Sequence, residues 1–139
     1  MAPKSQVPTH TVPSQLVWQL VKNYNCFLHK GLNGSQFSAE RGNLYNVNSY
    51  KYSGLANEKT LHIEAGDENI SVTRSHPKHV NRPAQHKGQA NKKGKNFRNT
   101  SRKLSKDVST YRPDLKKAAL ARASAVNKSQ RTTAAASTA

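Results

Sequence analysis

The chain has 139 residues and a formal net charge of +16, from 23 lysines and arginines against seven acids. Hydrophobic residues make up 34%, against roughly 45–50% in an ordinary globular domain, so the chain holds one small core at most and part of it lies outside. A membrane-spanning helix, which needs about 20 apolar residues, is excluded, and so is a disulfide scaffold, because Cys26 is the only cysteine.

Residues 1–13 are polar, carry Pro3 and Pro8, lack the apolar stretch of a signal peptide and read as a disordered N-terminal extension. A helix is predicted from Pro13-Ser14, with proline at the first helical position and serine as a cap. Leu16, Val17, Leu20, Val21 and Tyr24 make its apolar stripe, and Trp18 lies off the centre of that stripe, toward a second surface. Cys26-Phe27-Leu28-His29 reads as a strand with Cys26 a small core hydrophobe, Gly31 and Gly34 mark a turn, and Gln36 to Ala39 is the return. An aromatic, Asn-rich segment follows from Asn43 to Tyr52 and ends at Gly54. Leu61 and Ile63, then Ile70 and Val72, alternate with polar residues around Gly66-Asp67-Glu68-Asn69, which is the clearest hairpin in the chain. Residues 14–74 are therefore expected to form an α+β body: an N-terminal helix followed by a small, mostly antiparallel sheet.

From Ser75 to Asn96 almost nothing apolar is available to bury, and prolines and glycines interrupt a run of Lys, Arg, His, Gln and Asn. Alone, this basic extended segment (75–97) is expected to be disordered. Basic C-terminal helices are predicted over 98–131. Phe97, Leu104 and Val108 permit a short, weakly specified helix, and Pro113 opens a better one, with Asp114 in its first turn where the dipole favours an acid. Leu115, Ala119, Ala123 and Val126 form its apolar stripe, and Lys117, Ser124, Lys128 and Arg131 fall on the opposite face. Residues 132–139 read as a flexible small-residue tail.

The charge is unevenly divided. Residues 1–73 carry six bases and five acids, whereas residues 74–139 carry 17 bases and only Asp107 and Asp114. An imbalance of that size on 66 residues, unlike an ordinary solvated face, needs a polyanion outside the protein, and nucleic acid is the first candidate. The cations expected to contact it are Lys51 and Arg74; Lys78, Arg82, Lys87, Lys92, Lys93 and Lys95 in the extended segment; and Arg98, Arg102, Lys103, Lys106, Arg112, Lys116, Lys117, Lys128 and Arg131 in the C-terminal helices. Asn48 to Gly54 mixes stacking rings, donors and Lys51, which suits looped RNA. Tyr50 and Tyr52 could equally share one strand face and pack in the core, leaving Lys51 on the other face.

No catalytic constellation is present: there is no pair of carboxylates at a spacing that fixes them together, no phosphate-cradling glycine loop, no HExxH and no Gly-x-Ser-x-Gly. His76, His79 and His86 lack a cysteine or a core to hold a zinc geometry, so solvated or RNA-contacting histidines are expected instead. Four Asn-x-Ser sequons, beginning at Asn33, Asn69, Asn99 and Asn127, are expected to be chance matches in an Asn- and Ser-rich chain. No enzyme, cofactor, metal, membrane or small-molecule substrate is expected.

Several stretches resemble a known family. Leu16 to Asn23 with Cys26-Phe27-Leu28, then Asn43 to Asn57, then Tyr111 to Ala125 with its Tyr-Arg-Pro-Asp-Leu helix start, resemble the eukaryotic large-subunit ribosomal proteins numbered twenty-eight, e-type, in order over about residues 14–130 and closest to plant or algal members. The resemblance implies an α+β protein of the large (60S) subunit of the cytosolic ribosome, assembled in the nucleolus and bound to ribosomal RNA and neighbouring ribosomal proteins. A transient nucleolar ribosome-assembly factor that binds pre-ribosomal RNA is the alternative; such a factor shares a related N-terminal domain, but its long acidic continuation is missing here. An RNA-modifying enzyme lacks a plausible site.

Overall fold

A computed structural model describes residues 12–66, 69–75, 87–93 and 96–137, with the backbone alone at 87–93, 134 and 137. The N-terminal extension up to residue 11 and the histidines at 76, 79 and 86 lie outside the described residues. The protein is α+β, with an N-terminal helix, two small antiparallel sheets rather than one, and two C-terminal helices.

Helix α1 (Ser14–Val21) starts where expected, but Pro13 rather than Ser14 is the cap residue. The Pro13 carbonyl accepts from the Leu16 and Val17 amides, and the Ser14 hydroxyl shares a 2.7 Å hydrogen bond with that of Tyr50. The apolar stripe of this helix is not a core face. No residue of α1 is buried, and Leu16 and Leu20 are 52% and 65% exposed. The off-centre Trp18 makes the inward contact, against the Tyr50 ring at 6.1 Å. The Asn25 amide closes the helix by donating to the Val21 carbonyl, and its side-chain oxygen accepts from the Phe27 amide. That turn carries Cys26 to the surface before the strand begins, so Cys26 is exposed and not a core residue.

Strands β1 (Leu28–Lys30) and β2 (Gln36–Ser38) pair antiparallel, with Leu28 opposite Ser38. The turn between them uses Gly34 at φ +73°, which a side chain adopts only under strain. Residues 46–48 extend the pairing through Ser38 N–H to the Asn46 carbonyl and Asn48 N–H to that of Gln36. The segment from Asn43 to Tyr52 is otherwise a looped chain, not a strand. The buried Glu40 carboxylate holds it by accepting from Asn43 Nδ2 at 3.1 Å, Ser53 Oγ at 3.1 Å and Leu55 N at 3.2 Å. Gly54 crosses residue 41 so closely that a Cβ there would sit 1.9 Å from the Arg41 carbonyl oxygen.

The expected hairpin is present as β3 (Leu61–Ala65) and β4 (Ile70–Ser75), with Ile63 opposite Val72 and Ala65 opposite Ile70. A third strand, β5 (Lys87–Lys93), joins β4 antiparallel, with Lys93 opposite Ile70, Lys92 opposite Ser71 and Lys87 opposite Ser75. The sequence alone does not expect it, because its side chains offer no apolar face. The free edge of β4 supplies the backbone partners, and a ladder of main-chain hydrogen bonds does not depend on side-chain hydropathy.

Helix α2 (Phe97–Tyr111) is longer and better specified than expected. Asn96 caps it, accepting from the Arg98 amide at 3.1 Å. Thr100, Leu104 and Val108 make a strict i, i+4, i+8 buried stripe, in which Thr100 takes a place that hydropathy reserves for an apolar residue. A short 3-10 turn (Pro113–Leu115) leads into helix α3 (Lys116–Ser137), which continues past Thr132 where a tail is expected. Thr132 and Thr133 keep their hydroxyls bonded to the Ser129 carbonyl, and the alanines that follow are the best helix formers.

Both C-terminal helices meet each other, and α3 also lies on β3 and β4. The core joins Leu44, Leu61, Ile63, Ile70 and Val72 to Leu104, Val108, Leu115, Ala118, Ala119 and Ala123. The basic half is thus no mere appendage, since it supplies the second layer of the core.

Candidate nucleic-acid interface

The cations of the two C-terminal helices are sorted by the core they flank. On α2, the stripe of Thr100, Leu104 and Val108 faces inward, which turns Arg98, Arg102, Lys103 and Lys106 outward, all exposed. Spacings of three and four residues put these four on one helix face, where like charges repel by about 0.2–0.5 kcal/mol per pair. Among the described residues none of the four has an ion pair. On α3, burial of Leu115, Ala118, Ala119 and Ala123 leaves Lys116, Lys117, Ser124, Lys128 and Arg131 exposed, with 117, 124, 128 and 131 on the face expected. The structure thus brings eight expected contact residues onto two solvent-facing helix surfaces.

Other expected residues are placed differently. Arg112 is committed inside the protein: Nε and one terminal nitrogen grip the Asp114 carboxylate at 3.2 and 2.6 Å, and the terminal nitrogens also reach the Lys59 and Lys51 carbonyls at 3.0 and 3.1 Å. That clamp fixes the start of α3 to two loops of the N-terminal half. It also holds the Asp114 carboxyl below the ordinary aspartate range, through the hydrogen bonds from Arg112 and then its charge. Arg74 is half-buried, its guanidinium 5.9 Å from the Tyr111 ring centroid. Lys51 is exposed on its loop, 5.6 Å from the Tyr52 centroid. Lys87, Lys92 and Lys93 belong to β5, and Lys78, Arg82 and Lys95 lie outside the described residues.

The aromatic segment resolves into both readings once the loop is seen. Tyr52 packs against the core and meets Tyr45 edge-on at 5.1 Å, whereas Tyr50 stays partly open beside Trp18. Its asparagines are braces: Asn48 Nδ2 donates to the Lys22 carbonyl and to Gln36, and Asn57 Nδ2 to the Tyr50 and Ser53 carbonyls. Sequence reading missed Lys59, whose ammonium lies 5.9 Å from the Tyr111 centroid, near Arg74. It sits in the near-neutral half beside Glu58, and only the fold brings Tyr111 to it.

Among the described residues there is no group of three or more His, Cys, Asp or Glu side chains that could hold a metal ion. No helix there is long and apolar enough to cross a membrane. The two C-terminal helices thus present exposed cations on an α+β body.

Comparison with known proteins decides the lineage. Residues 16–129 match the ribosomal L28e protein family. The chain belongs to that family. It is 40% identical over 107 residues to the large ribosomal subunit protein eL28 of Dictyostelium discoideum, covering 77% of this chain and 80% of that protein. The eL28 of Schizosaccharomyces pombe is 33% identical over 137 residues, covering 87% of this chain and 95% of its own. The L28e match begins within α1 and ends within α3, so both sheets and all three helices fall inside it wholly or in part. The Tyr-Arg-Pro-Asp-Leu start of the last helix, on which the family resemblance leans, is the segment that carries the Arg112 clamp.

Proposed function

We propose that this L28e-family protein is a structural constituent of the large subunit of the cytosolic ribosome, held to ribosomal RNA by the outward faces of α2 and α3 and supporting translation without catalysis. The observation that carries the reading is the cluster of Arg98, Arg102, Lys103 and Lys106, four cations on one exposed face with no ion-pair partner among the described residues. Such a face is under self-repulsion in the free protein and gains on meeting phosphates. Lys116, Lys117, Lys128 and Arg131 extend it along α3, Lys51 adds a cation from its loop, and Arg74 and the lysine-bearing strand β5 add cations from the sheet. Lys78, Arg82 and Lys95 belong to the same basic segment in the sequence. Arg112 is left out of the contact set because its donors serve the clamp. Neighbouring ribosomal proteins and a nucleolar step of assembly follow from the same reading.

Replacing Arg98, Arg102, Lys103 and Lys106 together with alanine tests it. Thermal stability should hold or rise, because alanine is the best helix former and the repulsion is removed. The salt dependence of RNA affinity should become shallower by up to about three units of log K per log salt. An unchanged salt slope overturns the assignment of this face. Co-sedimentation with 60S particles through high-salt gradients tests the wider reading, and depletion from translating ribosomes would instead mark a transient assembly factor.

A further inference from the structure

The face of the three-stranded sheet turned away from α2 and α3 carries a separate feature. Leu61, Ile63 and Val72 point into the core, so the alternating His62 and Thr73 point to the other side. There a cavity of about 190 Å³ opens between the sheet and the crossing of residues 41–42 with Gly54. Pockets for drug-sized ligands occupy about 300–1,000 Å³, so this one suits a single ring system. Its apolar walls are Phe27 and Leu55, large side chains that remain 40% and 42% exposed. Its open polar groups are the hydroxyls of Thr60 and Thr73, which make no hydrogen bond among the described residues, whereas the Ser75 hydroxyl that also lines it donates to the Glu58 carbonyl and accepts from the Thr60 amide. Arg41 stands at the edge, half-exposed and 3.7 Å from Glu64.

His62 is a fixed wall and not a free ligand. The Gly42 amide donates to its Nδ1 at 3.3 Å, which leaves the proton on Nε2, in contact with the Glu64 carboxylate. The chemistry left open to a ligand is an exposed aromatic face and two hydroxyls able to donate or accept, with the Glu64-paired cation of Arg41 at the edge. That set matches a planar heterocycle with a polar edge and a phosphate beside it. Strand β5 runs next to the strand that supplies Thr73, with Lys92 opposite Ser71 and Lys87 opposite Ser75. A nucleic-acid backbone attracted to this lysine-bearing strand would run beside the strand that supplies Thr73 to the cavity.

We propose that this cavity receives one unstacked nucleobase of a bound RNA, with Phe27 as the stacking face. The proposal rests on the RNA-binding reading above. The test uses the full-length protein and two RNA probes: a fully paired duplex, and the same duplex with a single-nucleotide bulge bearing 2-aminopurine. Wild-type protein should bind the bulged RNA more tightly by roughly fivefold or more, the scale of one base–aromatic stack, and should change the 2-aminopurine emission. Phe27→Ala should abolish that preference, and Phe27→Trp should keep it. Thr73→Tyr, which fills the cavity with a residue suited to a strand, should abolish it too. Affinity for the paired duplex and its salt slope should stay unchanged in all three. Equal wild-type affinity for both RNAs overturns the proposal, as does a preference that survives both Phe27→Ala and Thr73→Tyr. Loss of all salt-dependent RNA binding in the wild type would overturn the RNA reading itself, a result distinct from loss of the bulge preference alone.

Discussion

Helices α1 and α3 differ in a way opposite to what their sequences suggest. Residues 14–21, with leucines and valines at helical spacing and no charge, look like the natural core helix. Residues 116–137 are alanine, lysine and small polar residues with a thin apolar stripe. Yet α1 buries nothing completely, and Ala119 and Ala123 of α3 have no exposed surface at all. Burial requires a partner surface of matching shape, and periodicity only says that a helix could use one. The alanines contribute little apolar area themselves, at about 0.8 kcal/mol per buried methylene-sized group. Their value is close approach, which lets Leu61, Ile63, Leu104, Val108 and Leu115 bury fully between sheet and helices. The same arrangement turns the lysines of α3 to solvent.

The contrast is broken or sharpened by substitution. The largest effect is expected at Leu115, which is buried at the start of α3. Leu115→Asp places an unpaired charge in the core and should cost more than about 3 kcal/mol, undocking α3. Leu20→Asp, the equivalent change on α1, should stay within about 0.5 kcal/mol because the side chain is already in water. Urea unfolding followed by circular dichroism measures both, and equal losses would mean that α1 is docked after all. A middle-sized effect is expected from the reverse manipulation. Ala119→Leu overfills a fully buried position and should destabilise by about 1–3 kcal/mol, whereas Leu16→Ala on α1 should leave the unfolding midpoint nearly unmoved.

The smallest effect concerns the clamp that fixes the start of α3. Asp114 has a carboxyl held below its ordinary value by Arg112. A depressed folded-state value stabilises the protein above the ordinary aspartate pKa of about 3.9, and that stabilisation fades as pH falls through the depressed value. The carboxylate is 42% exposed, so screening limits the pair to below about 1 kcal/mol. The melting-temperature gap between wild type and Asp114→Asn should therefore be small but present near neutral pH and should close as pH drops below about 4. A gap that widens on acidification would contradict the pairing.

Legibility followed the range of the forces involved. The β3–β4 hairpin was readable because alternation and a Gly-Asp-Glu-Asn turn are local signals, and the outward Lys117, Lys128 and Arg131 were readable because one helix fixes both of its faces. Cys26 was misread because a single side chain, Asn25, turns the chain before the strand starts. Strand β5 was invisible because its ladder is made by backbone groups that every residue carries. Arg112 looked like any other cation of a basic segment, and its true partners, the Lys51 and Lys59 carbonyls, lie 61 and 53 residues away in the chain.

By itself, the sequence determined the class of fold and the uneven division of charge. A net charge of +15 gathered on residues 74–139 cannot be neutralised by the near-neutral remainder, and the fold's elements carry local signatures. Only the tertiary structure decided which helix is core, which cations are spent on holding the protein together, and that a small ring-sized cavity opens beneath Phe27 and Leu55. Those outcomes depend on surfaces meeting across long stretches of chain, and shape complementarity between distant segments leaves no mark in the spacing of residues along one of them.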